Sequence, residues 1–261
     1  KHGLDRPMVV QYAIWISNIL RGDFGVSMIS DLSVGEMIKT RVPITVHLGL
    51  TAFVISICLG IPIGIICAVR REKWLDTGLT LFANFGITVP IFWLGILMVW
   101  FFGLVLRILP VFGYTSPFED FGMCIKQMIM PVFCLSIFAI ASGARLTRSS
   151  MLEVMNQDYI RTAWSKGLKE WVVIGRHALK NGLIPVITLK GMTLRSIIGG
   201  SVLVETVFNI PGMGRLAVDA LMARDYPIVQ GVVLITALMV VFTNLMVDLC
   251  YGWLDPRIRY E

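Results

Sequence analysis

Ile44-Thr-Val-His-Leu-Gly-Leu-Thr-Ala-Phe-Val-Ile-Ser-Ile-Cys-Leu-Gly-Ile-Pro-Ile-Gly-Ile-Ile-Cys-Ala-Val69 is the stretch on which the fold turns. Between Leu48 and Val69 it holds no Asp, Glu, Lys, Arg or His, and it exceeds the roughly 20 apolar residues that cross a hydrocarbon core of about 30 Å. Residues 77–109, 128–144, 186–204 and 228–253 are further apolar runs. Of the 261 residues, 56% are hydrophobic and 15% charged, where a soluble domain carries roughly 25% charge. That balance excludes a large soluble helical protein. An all-α polytopic membrane protein with five visible spans is expected.

Working outward from Val69, the next residues are Arg70, Arg71 and Lys73, and Lys and Arg in short loops mark the cytoplasmic side. The region after the third run is basic too (Arg145, Arg148, Arg161, Lys166, Lys169, Arg176, Lys180), as is the tail with Arg257 and Arg259. The intervening loops are acidic or balanced: Glu119 and Asp120 against Lys126, then Glu205, Asp219 and Asp225 against Arg215 and Arg224. The alternation predicts a cytoplasmic C-terminus, with 256–261 as a cytoplasmic tail, and an extracytoplasmic segment 1–43. No signal-peptide pattern opens the chain. An outside N-terminal segment then implies a span preceding Lys1, so that six native spans are expected.

The run 77–109 is too long for one straight span. Pro90 lacks a backbone donor and disfavours helix at Val89. The spacing predicts either an approach helix over 77–88 followed by a span over 91–107, or one Pro-kinked tilted helix. The five cysteines, Cys58, Cys67, Cys124, Cys134 and Cys250, show no paired spacing and predict neither a disulfide framework nor a zinc site.

Between the third and fourth runs lies a polar insert of about forty residues, 145–185, that reads as helix and not as slack linker. Asp158 is placed to cap a short helix through 159–166, and Gly167 to end it. A second helix is expected from about Glu170 to Asn181. The first helix shows Tyr159, Ile160, Ala163 and Trp164, a face suited to a groove in a soluble partner or to anionic lipid.

The run Asp158-Tyr-Ile-Arg-Thr-Ala-Trp-Ser-Lys-Gly-Leu168, with Arg176-His-Ala-Leu-Lys-Asn181 and Ile184-Pro185, resembles the EAA loop of ABC importer permeases of the dipeptide/oligopeptide/nickel branch. The same branch is matched at Gly3-Leu-Asp-Arg-Pro7, Gly22-Asp-Phe-Gly25, Ala144-Arg-Leu-Thr-Arg148, Gly199-Gly-Ser201, Val204-Glu-Thr-Val-Phe208, Pro211-Gly-Met-Gly-Arg215, Arg224-Asp-Tyr-Pro227 and Asp255-Pro-Arg-Ile-Arg-Tyr260. The resemblance covers essentially the whole chain. It implies a type I importer transmembrane domain over 44–255, and a preceding span as in family members. It also implies a coupling helix that receives movement from an ATPase through Asp158, Tyr159, Arg161, Thr162, Ala163, Trp164, Lys166, Gly167 and Leu168. Arg161 and Thr162 stand where the wider superfamily has Glu-Ala, and Trp164 and Ser165 replace an Arg and a small residue. A Trp there makes the docking surface more apolar.

No phosphate-cradling Gly-x-x-x-x-Gly-Lys-[Ser/Thr] occurs, and His2, His47 and His177 are far apart. The chain is therefore expected to be no enzyme and to hold no cofactor or metal, ATP and Mg lying on partner subunits. The resemblance implies as partners a second homologous permease, two cytoplasmic ATPases and an extracytoplasmic binding protein received by 1–43 and the 205–227 loop. Membrane lipid surrounds the spans, and nothing in the sequence points to nucleic acid. Polar residues within spans are the candidates for the path, because burying a charge in lipid costs about 3 kcal/mol or more. Arg195 lies about 15 Å into its helix from Pro185. It is expected to meet either a substrate carboxylate or the partner permease. Ser196 and the pair Gly199 and Gly200 follow, the glycines serving close packing or a wide path. Glu205 is expected at the outer gate, and Asn244 and Asp248 share a face of the last span. Peptides are the expected cargo, with chelated nickel or glutathione as alternatives within the family. The expected location is a bacterial-type inner membrane, and the rival class is a secondary transporter or channel acting alone.

Overall fold

The computed structural model describes residues 7–254, apart from the side chains of residues 195, 198–200 and 250–254. Among these residues the chain is helical throughout, with no strand and one isolated bridge between Val26 and Ser33. The helices are α1 Met8–Leu20, α2 Val34–Val69, α3 Trp74–Thr88, α4 Ile91–Met98, α5 Phe121–Met155, α6 Asp158–Ser165, α7 Glu170–Val172, α8 Leu179–Gly182, α9 Ile184–Gly200, α10 Val202–Val207, α11 Met213–Met222 and α12 Tyr226–Leu254. Two wide, π-helical stretches continue α4 over Val99–Val105 and join α7 to α8 over Val173–Ala178.

Lipid offers a backbone no hydrogen-bond partners, so the apolar runs fold as helices that satisfy their own amides. Three are long and apolar enough to cross a membrane: Val34–Val69, Phe121–Met155 and Tyr226–Leu249. A fourth is formed if α3 and α4 with its π-helical continuation count as one broken span, bent by 105°. The bend falls at the predicted place. Val89 is extended (ψ 126°), as a residue before proline must be. The fifth expected span is the 17-residue α9, about 25 Å long, which continues past Ser201 into α10. Boundaries move more than identities. α2 begins at Val34, well before residue 44, and the run 128–144 is the centre of a 35-residue helix that starts at an Asp120 cap accepting from Met123 N at 2.9 Å.

α2 and α5 pack along a seam of small residues. Ser56, Gly60, Gly64 and Ala68 are buried at four-residue spacing on α2. A Cβ at Gly64 would lie 2.5 Å from Thr147 Cβ and 2.6 Å from the Ala144 carbonyl oxygen. One at Gly60 would lie 3.0 Å from the Ile140 carbonyl oxygen. Small residues let two membrane helices approach this closely, which replaces the hydrophobic drive that lipid removes.

Three apolar clusters hang on α2. Leu48 and Ala52 pack with Met130, Cys134, Val204 and Phe208 in the centre of the bundle. Val34 and Ile38 pack with Met213, Leu216, Ile228 and Val232 at one end. Ala68 packs with Met151, Ile160, Ala163, Val173 and Ala178 at the other end, beneath the polar insert. α12, by contrast, exposes Leu238, Val241, Phe242 and Leu245. At the end away from the insert, the loop after the π-helical stretch is tied down where Tyr114 Oη meets His47 Nδ1 at 2.9 Å and Thr115 N donates to Gln127 Oε1. Burial, then the neighbouring Cys124 and Glu119, pushes the Tyr114 phenol above its ordinary value.

Candidate functional site

The polar insert is built as two short helical arms. α6 opens with Gln157 as its N-cap, whose carbonyl accepts from Ile160 N and Arg161 N. This corrects the expected Asp158 cap: Asp158 is the first helical residue, its side chain exposed and 3.5 Å from Arg161. Such an exposed pair contributes about 0–1 kcal/mol. Gly167 ends the arm in the left-handed region (φ 72°), where glycine lacks the Cβ penalty. The second arm, 170–182, is helical as expected but widened by its π turn.

Ile160 and Ala163 were expected to face outward, toward a soluble partner or anionic lipid. They face inward, 0% and 5% exposed, against Ala68 of α2 and Met151 of α5, and Leu168 packs at the edge of the same cluster. Burying an isoleucine side chain stabilises by about 1.5–3 kcal/mol, so this face anchors the arm to the bundle. What remains outward is Asp158, Tyr159, Arg161, Thr162, Trp164, Lys166 and Gly167. Tyr159 Oη accepts from Asn181 Nδ2 at 2.9 Å, clipping one arm to the other.

The insert grows directly out of α5, and α5 is clamped to α3. Arg148 donates to both carboxylate oxygens of Asp76, at 2.7 and 2.8 Å, while Glu72 N reaches Asp76 Oδ2 at 3.2 Å. Arg145 donates to Asn84 on the same helix. The two arginines do share one face, as their spacing predicts, and that face belongs to α3. Asp76 itself is 5% exposed and was not singled out from the sequence. Its signal was an acid placed just after a basic loop.

Glu205 is also turned inward. It is 0% exposed, and its Oε1 accepts from Thr45 Oγ1 at 2.9 Å and Ser201 Oγ at 2.7 Å. Oε2 accepts from Arg215 N at 3.0 Å, and Thr45 Oγ1 accepts from Met213 N at 2.8 Å. Two orphan amides of the first turn of α11 are thereby satisfied, one of them by a carboxylate at the positive end of the helix dipole. Gly212 makes this possible, since a Cβ there would stand 2.5 Å from the Glu205 carboxyl. Within this chain Glu205 is a packing node of α2, α10 and α11.

Lys190 was overlooked in the run 186–204. It is 4% exposed, and its Nζ donates to Ala139 O at 2.8 Å, Ser56 O at 3.1 Å and Ser56 Oγ at 3.2 Å. Three acceptors meet the three donors of the ammonium, so α9 is pinned to α2 and α5. Of the other path candidates, Ser196 is exposed, and the side chains of Arg195, Gly199 and Gly200 lie outside those described. Asp248 is exposed, and Asn244 Oδ1 is buried with no hydrogen-bond partner among the described residues. A second tie, also unforeseen, holds the Arg224–Pro227 motif to the segment just past Gly22–Gly25: Ser27 Oγ donates to Asp225 Oδ2 at 2.5 Å. Among the described residues no group of three or more His, Cys, Asp or Glu could hold a metal ion, and Cys58, Cys67, Cys124 and Cys134 are free.

Compared with known proteins, residues 60–260 match the family model described as "Binding-protein-dependent transport system inner membrane component". The chain is 45% identical over 260 residues to a chain of Brucella abortus (strain 2308) carrying a provisional peptide-transport permease name, covering 99% of this chain and 82% of that one. It is 40% identical to the oligopeptide transport system permease protein AppB of Bacillus subtilis (strain 168), with 100% and 83% covered. To the dipeptide transport system permease protein DppB of Escherichia coli (strain K12) it is 39% identical, with 99% and 83% covered. Among solved structures, the inward-facing MetNI methionine ABC transporter superposes with a TM-score of 0.69 at 15% identity, covering 84% of this chain and 96% of that one. An amino acid ABC transporter with histidines gives 0.60 at 16% identity, covering 82% and 92%.

Proposed function

Because this chain belongs to the binding-protein-dependent transport system inner membrane components, and so is a multi-pass permease component of an ABC importer, we propose that it forms half of a transmembrane path for di- or oligopeptides. In this reading the insert is cytoplasmic, as the basic loops suggest, and the C-terminus lies on the same side. One of two ATPase subunits docks on the outward face of α6, through Asp158, Arg161, Thr162, Trp164 and Lys166, and the other on the second permease. They bind the ATP and Mg, and this chain contributes no catalytic residue. A second permease completes the path, and an extracytoplasmic binding protein delivers cargo.

The observation that supports the reading is the two-sidedness of α6. Ile160 and Ala163 anchor it on α2 and α5, while its polar and aromatic face is left outward. A force applied to that face is delivered to two membrane helices at once. On α9 we assign Arg195 to the carboxylate of the cargo, with Ser196, Gly199 and Gly200 beside it. The test is purification of the full-length chain from its native membrane, followed by ATP-dependent uptake of labelled dipeptide into vesicles. Co-purifying ATPase subunits and uptake that requires them are expected; a chain that carries peptide alone would overturn the reading.

A further inference from the structure

The insert forms a second surface beside its anchored arm. The last turn of α2 and the helical stretch 170–182 enclose an open groove of about 380 Å³, walled by Ile66, Val69, Trp171, Ile174, Gly175 and Leu179 and bordered by Arg70. That volume lies within the range of small-ligand pockets, about 300–1,000 Å³. Apart from Arg70 the named walls are apolar.

Depth and charge say what fits. Val69 ends the apolar run and Arg70 is the first charge after it, so the groove sits where hydrocarbon gives way to headgroups. Trp171 is 73% exposed beside it, and indoles settle at that level of a bilayer. The two walls are flanked in sequence by Arg70, Arg71, Lys73, Lys169, Arg176 and Lys180, against Glu72 and Glu170. Arg71 is drawn to Glu72 at 3.1 Å, whereas Arg70 is exposed and has no carboxylate partner among the described residues. An apolar slot under an unpaired guanidinium, at a membrane boundary, matches a chain with an anionic head.

We propose that this groove binds one anionic phospholipid, with an acyl chain against Ile66, Val69, Trp171 and Leu179 and the phosphate on Arg70. The orientation proposed above decides only which leaflet supplies it, the cytoplasmic one. Bound there, the lipid wedges α2 against the second arm of the insert, so that the coupling surface senses membrane composition.

The test uses the complete transporter carrying the full-length chain, purified in mild detergent and titrated with phosphatidylglycerol or phosphatidylcholine of matched chains. Bound lipid is read by native mass spectrometry. The wild type is expected to prefer phosphatidylglycerol. Arg70→Gln is expected to lower that preference about five-fold, the effect of one basic residue near an anionic surface. Gly175→Leu is expected to lower retention of both lipids, and its side chain enters open space, no atom lying within 4 Å of a Cβ there. Equal retention of the two lipids by the wild type, or unchanged retention in both variants, overturns the proposal. So does shielding of a Gly175→Cys thiol from a hydrophilic maleimide by ATPase subunits in lipid-free detergent, which would give the groove to protein. Failure of ATPase subunits to co-purify, by contrast, touches only the function proposed above.

Discussion

Thr45 and Glu205 meet at 2.9 Å across 160 positions of sequence, and between them they close the first turn of α11. Each would be ill-placed alone. The hydroxyl would leave the Met213 amide as its only partner, and the carboxylate would sit 0% exposed with one fewer donor.

Replacing Glu205 by Ala leaves two hydroxyls and the Arg215 amide without their acceptor. A loss of about 2–4 kcal/mol is expected, since each buried unsatisfied group costs about 1–3 kcal/mol and some relaxation follows. Glu205→Gln, which keeps shape and one acceptor, should lose less than half of that. Denaturant unfolding of the purified chain in detergent reads both. Equal stability of the wild type and the Ala variant would remove the node from the account.

The two faces of α6 separate folding from docking. Ile160→Ala is expected to destabilise the chain by about 2–5 kcal/mol, the range for a buried Ile reduced to Ala. Trp164→Ala, at 43% exposure, should leave stability within about 0.5 kcal/mol yet weaken recovery of ATPase subunits on pull-down. Intact recovery with Trp164→Ala would move the docking surface elsewhere.

The Asp76–Arg148 clamp is bidentate and largely buried on the Asp76 side. A double-mutant cycle with Asp76→Asn and Arg148→Gln should return a coupling of about 1–3 kcal/mol, above the 0.2–1 kcal/mol of exposed pairs. A coupling below that range would mean that α3 is held by packing alone.

Gly143 exists for Lys190. A Cβ at Gly143 would lie 2.7 Å from Nζ and 3.0 Å from Cε. Gly143→Ala is expected to cost about 1–3 kcal/mol by overpacking, and considerably less in a Lys190→Leu background, whose shorter side chain vacates the space. Additive effects in the unfolding assay would show that the two residues do not share the site.

Much of the architecture could be read before any coordinates. Long uncharged runs force helices in lipid, and the Pro90 break and the Gly167 stop follow from backbone chemistry local to one residue. What escaped was long-range. Lys190 reads as one basic residue in an apolar run, and only the approach of Ser56 and Ala139 explains how it is accommodated there. Glu205 sits in a quoted motif, yet its orientation depends on Thr45 in a helix far upstream. The inward turn of Ile160 and Ala163 was legible in part: two apolar residues three apart on a polar helix mark a buried stripe, and nothing in the spacing says what buries them.

The small-residue seam has a mechanical consequence. On α2, Gly60 and Gly64 press against α5 near one end of a helix that touches all three apolar clusters. From the middle of that contact to Ala68, where the insert is anchored, is about 9 Å of helix, and to Thr45 in the other direction about 26 Å. Because the seam from Ser56 to Ala68 holds α2 against α5 on both sides of Pro62, a displacement at Ala68 is expected to carry the two helices together, and the distant Thr45–Glu205 joint with them.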